Sequence, residues 1–145
     1  MTKELYGAID IIFAEKIDYF QQLIDDLRSQ NNETKSSMGD KYETSREMMQ
    51  QEITRIQNQL NEFLVQHEQF QKIGSKPSET IINGSYVSTS IGNFVIACSL
   101  GEITFENQKI FVLSKQTPLG QLLLGKKIGD VIEMNGKSIK INGVN

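Results

Sequence analysis

Cysteine, histidine and proline are almost missing from this sequence, and tryptophan is missing altogether. One cysteine in 145 residues excludes a disulfide framework and any four-cysteine metal site. The single histidine, His67, and the single cysteine, Cys98, lie in differently patterned segments, which argues against Cys-His and Ser-His-Asp hydrolysis. Cys98 sits inside the apolar run FVIACSL and reads as a buried, inert thiol. No run approaches the eighteen apolar residues of a membrane span. The opening stretch MTKELYGAIDIIFAEK has acidic residues inside its short apolar run and no small-residue cleavage site, so it is not read as a secretory signal. These absences lead us to expect a cytoplasmic protein. Hydrophobic content of 38% points to modest burial rather than one large core.

Net charge is small as well, because 15 basic residues nearly balance 18 acidic ones. The net of −3 is too weak to argue for non-specific nucleic-acid binding. The halves differ, with 13 acidic and 8 basic residues over 1–72 against 5 and 7 over 73–145. GKKIGD, at 125–130, has too few glycines and the wrong order for a phosphate-cradling loop.

What is present is helical periodicity. In the first segment apolar residues fall at Leu5, Ile9, Phe13, Ile17, Phe20, Ile24 and Leu27, at steps of three and four that keep one stripe on a helix. In the second they fall at Met49, Ile53, Ile56, Leu60, Phe63, His67 and Phe70, a heptad seam suited to a helical partner. Counting inward, Leu27 pairs with Met49, Phe20 with Ile56 and Ile9 with His67, which sets a common midpoint near residue 38. Gly39 is free to take the left-handed conformation a turn needs. The spacing therefore predicts an antiparallel coiled-coil hairpin, with helices near 3–34 and 41–72 and each arm roughly 50 Å long. The polar stretch NNETKSSMGDKYETSREMMQ, residues 31–50, becomes the hairpin's distal end. It is either a solvated tip or a display of functional side chains.

At GSKPSET, residues 74–80, Gly, Pro and Ser break the helical period. The expected division is a coiled-coil hairpin over 1–74, with its tip near 33–43, and a second domain over 76–145. GSYVSTSIGNFVIACSL reads as two strands and KIFVLS as a third. DVIEMNGKSIKING reads as a hairpin turning at Asn135-Gly136. TPLGQLLLGKK reads as a short helix with Thr117 as its cap, Pro118 at its first position and Gly125 after its end. The fold class is α+β, with a small antiparallel sheet and one short helix.

Two stretches resemble the Gre family of bacterial transcript-cleavage factors. TPLGQLLLGKKIGDVIEMNGKSIKI, residues 117–141, is similar to the family's C-terminal run, in which Ser/Thr-Pro opens a short helix ending in Leu-x-Gly-Lys before Gly-Asp and a final hairpin. DKYETSREMMQQEITRIQNQL, residues 40–60, is similar to the start of its second coiled-coil helix, with Tyr42 and Arg46-Glu47 in register.

The resemblance implies an FKBP-like C-terminal domain docked at the rim of the RNA polymerase secondary channel, through Thr117, Pro118, Lys126 and Lys127. It implies a hairpin inside the channel whose tip carboxylates help hold a Mg²⁺ ion at the polymerase's own catalytic centre. Mg²⁺ is held through one or two carboxylates plus waters and phosphates, and two-metal phosphoryl chemistry spaces the ions about 3.5–4 Å apart. The tip donors are then Asp40 and Glu33, with Lys35, Lys41, Tyr42, Glu43 and Arg46 as further tip contacts. The family's two tip acids lie four and seven residues before the tyrosine, where this chain has Met38 and Lys35.

On this reading the protein is not an enzyme and has no catalytic residue of its own. It has no stably bound cofactor, and any Mg²⁺ is shared with the polymerase. RNA polymerase is its partner, and it touches nascent RNA only through the polymerase. It binds no membrane and no specific DNA sequence, and it is a monomer. The alternatives are a channel-binding regulator that does not stimulate cleavage and an interaction protein of FKBP-like or coiled-coil type. An FKBP-type prolyl isomerase needs an aromatic-lined pocket, for which Tyr86, Phe94, Phe105 and Phe111 are the available rings. A coiled-coil homodimer needs a second apolar stripe, for which Ile11, Ile12, Tyr19 and Leu23 are available. Those four are expected to cover the base of the hairpin against the sheet.

Overall fold

The structure is a computed structural model that describes the backbone of residues 1–33 and 40–145, and the side chains outside 31–43. Two long helices, α1 (Lys3–Glu33) and α2 (Asp40–Ile73), precede six strands and one short helix. The turn expected near Gly39 lies outside the described residues. Two compact units emerge, one formed by Met1–Asp10 with Glu68–Asn145, the other by Ile11–His67.

The second unit is an antiparallel helix pair. Ile24, Ile53, Ile56 and Leu60 are buried together, and Ile17, Phe20, Leu23 and Leu27 pack against them. Every one of these belongs to the apolar stripes, apart from Leu23. Facing positions differ from the symmetric count. His67, paired with Ile9 by counting, stacks on Phe13 with ring centroids 5.1 Å apart. Phe20, paired with Ile56 by counting, stacks on Phe63 at 5.4 Å. Large rings reach diagonally into the neighbouring layer of the seam, where offset stacking is favourable. The wider stripe is only partly covered: Ile11 and Tyr19 are 58% and 62% exposed, Ile12 is half-buried, and Leu23 packs against the seam of the helix pair.

The first unit holds a six-stranded sheet made of β1 (Tyr86–Thr89), β2 (Gly92–Ile96), β3 (Gly101–Phe105), β4 (Gln108–Leu113), β5 (Val131–Met134) and β6 (Lys137–Val144). Their order is β3-β4-β2-β1-β6-β5. The sheet is antiparallel except where β2 and β4 run parallel. Strand β3 is absent from the sequence reading. It joins β4 through Glu106 and Asn107, both left-handed at φ 50° and 63°, a two-residue turn of the type hairpins favour. The Asn135-Gly136 turn joins β5 to β6 as expected, at φ 53° and 77°.

Alternation along the strands gives the sheet two apolar faces. On one, Val87, Phe94, Ile96, Leu113, Ile132, Ile139 and Ile141 are buried with Leu123 of helix α3 (Pro118–Leu123). On the other lie Val95, Ile103, Ile110 and Val112, all buried. Close approach fixes two segments of the unit. A Cβ at Gly84 (φ +101°) would meet Ile73 at 2.6 Å, and one at Gly120 would meet the Ser114 carbonyl at 2.5 Å.

Candidate functional site

The segment from Thr117 to Val131 is built outward from a tight cap. Thr117 Oγ1 donates to the Ser114 carbonyl at 2.7 Å and accepts from Gly120 N–H at 3.1 Å, so one hydroxyl joins the end of β4 to the first turn of α3. Pro118 takes the position where a missing N–H costs nothing. Gly125, at φ +81°, ends the helix in the left-handed conformation that glycine adopts freely.

Beyond it the backbone is pinned at both sides of the lysines. Gly125 N–H donates to Ile81 O at 2.8 Å, and Ile81 N–H donates to Lys126 O at 2.9 Å. Asp130 Oδ2 accepts from Lys127 N–H at 2.9 Å. The side chains of Lys126 and Lys127 are left exposed on this fixed frame. Pro118 is exposed as well, while Thr117 is half-buried and its hydroxyl is spent on the cap.

Three apolar residues on the same segment were not foreseen as surface. Ile128 is 61% exposed, Val131 57% and Leu122 37%. Val131 opens β5 on the face opposite the buried Ile132, and Ile128 sits in the turn before it, next to Gly129 at φ +91°. Exposed aliphatic side chains interleaved with lysines make a surface that can bury apolar area and meet acidic groups in one contact.

The expected tip set is not assembled by the described residues. The side chains of Glu33, Asp40, Lys41, Tyr42 and Glu43, and all of Lys35, lie outside them. Arg46 is described and half-buried on α2. Among the described residues no group of three or more His, Cys, Asp or Glu could hold a metal ion. No described helix is long and apolar enough to cross a membrane.

The four rings considered for a proline pocket separate onto opposite sheet faces. Tyr86 and Phe105 line a cavity of about 290 Å³ with Ile110. Phe94 and Phe111 line a second hollow with Ile91, Glu102 and Lys109. Phe94 is 9% exposed and belongs to the core under α3. An aromatic box therefore does not form from these four, which removes the geometric basis for the isomerase reading. Cys98 is buried, and burial pushes its thiol up to about 12, far from the range of a nucleophile.

No family model matches this sequence, and no curated protein matches it. Solved structures of Gre-factor homologues do align with it. The crystal structure of GreA factor homolog 1 (Gfh1) of Thermus thermophilus is 16% identical, with 89% of this chain and 94% of that one covered at a TM-score of 0.36. A structure of the transcription factor Gfh1 is 16% identical over 99% and 95% at 0.37. Thermus aquaticus Gfh1 is 18% identical over 88% and 92% at 0.35.

Proposed function

We propose that this protein is a Gre-type factor that binds the secondary channel of RNA polymerase and modulates elongation. The observation that carries the proposal is the Thr117–Val131 segment. Its sequence resembles the family's C-terminal run, and it folds into a capped helix with a pinned edge that exposes Leu122, Lys126, Lys127, Ile128 and Val131. Such an edge is suited to docking on an acidic, partly apolar rim. The helix pair would enter the channel, and the protein would serve the polymerase's catalytic centre rather than act as an enzyme itself.

Asp40 and Glu33 are the proposed Mg²⁺ donors on the resemblance alone, since their side chains lie outside the described residues. Lys35 and Met38, which stand where the family has acids, favour a second reading: a channel-binding regulator that does not stimulate cleavage.

Pull-down of purified RNA polymerase tests the docking. Ile128→Asp should weaken binding by about tenfold or more, because an aliphatic anchor becomes an unpaired charge at the contact. Ile128 is exposed, so the fold should persist by circular dichroism. Unchanged binding in Ile128→Asp combined with Lys126→Glu and Lys127→Glu would overturn the docking surface.

A further inference from the structure

The cavity on the sheet face away from α3 has a composition that the proposed function does not use. Its floor is apolar, from Leu5 and Ile110, and its walls include the rings of Tyr86 and Phe105. Its rim carries two carboxylates, Glu4 and Glu106. Neither forms an ion pair among the described residues. The Met1 ammonium donates instead to the Asn145 carbonyl, another part of the lining. The volume of about 290 Å³ is at the small end for ligand sites, enough for one alkyl chain with a polar head.

We infer that this cavity binds an organic cation, an alkylguanidinium or alkylammonium group, with its stem on Leu5 and Ile110, its head against Tyr86 and Phe105, and its charge met by Glu4 and Glu106. Each part follows from general chemistry. Aromatic faces attract cations, more strongly when water is excluded. Long basic side chains lay their methylenes on apolar surface while the charged head reaches polar partners.

Butylguanidinium and its uncharged isostere butylurea provide the test, by ¹⁵N-¹H correlation spectra of the whole protein. Saturable shifts are expected at the amides of Leu5, Tyr86, Phe105 and Glu106, with butylguanidinium bound about tenfold tighter or more than butylurea. The paired variant Glu4→Gln/Glu106→Gln should lose this preference while its spectrum shows an intact fold. A short peptide, acetyl-Gly-Arg-Gly-amide, separates the sources. Tighter binding than butylguanidinium identifies a protein side chain as the ligand, and weaker binding identifies a free small cation. Equal binding of the urea, shifts away from the cavity, or an unaffected paired variant would overturn the inference. Polymerase pull-down with the paired variant keeps the two proposals separate, because neither glutamate lies on the Thr117–Val131 edge.

Discussion

Cys98 shows how a residue's surroundings decide its chemistry. The apolar run around it marks it as buried in the sequence, and the structure agrees. A thiol that must stay neutral in the fold links stability to pH. Its ordinary value of 9.0 is raised to about 12, so the folded state keeps a proton that the unfolded state releases. Its contribution is complete below pH 9 and is lost as pH rises toward 12. Urea melts between pH 8 and 11 should therefore show stability falling, and Cys98→Ala should fall less steeply. Native Cys98 should also react with a thiol reagent only after denaturation. Equal pH slopes in the two proteins would contradict this account. Tyr86, raised by burial as well, adds to the alkaline loss in both.

Elements were legible in the sequence wherever a local rule was strong. The helical stripes were, because steps of three and four over thirty residues have no other reading. Helix α3 was, because Thr117, Pro118 and Gly125 each occupy a position their chemistry prefers. Thr117→Ala removes one acceptor for Gly120 N–H and one donor to Ser114, and should cost about 1 kcal/mol in denaturant unfolding. A value within error of zero would mean that packing alone sets the helix start. Strand β3 was missed because Glu106-Asn107 is not a stock turn pair, so the hairpin carries no composition signal. The parallel pairing of β2 with β4 was equally hidden, since strand order depends on connections and not on any local pattern. The diagonal ring contacts of Phe13 and Phe20 follow from side-chain size, which a midpoint count ignores.

For the whole molecule, the order of modules is readable, but the proposed activity rests on a few residues, Glu33 and Asp40, whose side chains lie outside the described ones. At the candidate docking edge, the helix start at Thr117 and Pro118 and its end at Gly125 could be read from capping rules. The polar stretch that begins at residue 31 could not be read in this way, because its sequence carries no hydrophobic seam. The decisive measurement is transcript cleavage by stalled RNA polymerase with added factor. Asp40→Asn should reduce stimulated cleavage at least about tenfold, roughly 1.4 kcal/mol of transition-state stabilisation, with polymerase binding retained. Glu33→Gln should reduce it less. If the unaltered protein binds yet stimulates nothing, the regulatory reading replaces the catalytic one and the docking edge stands.

Strand order also dictates a timetable. The β3–β4 hairpin closes over two residues, whereas β1 must wait for β6, pairing Val87 with Val144, 57 residues later. Long-range pairings of this kind are slow, because loop entropy is lost before any contact is gained. On the ribosome, both helices are complete by residue 73, long before β6 emerges. Until then β1 has an open edge toward the place β6 will fill, the kind of unpaired strand that invites association with other chains. The helix pair can thus form early, and the sheet becomes whole only after β6 has emerged.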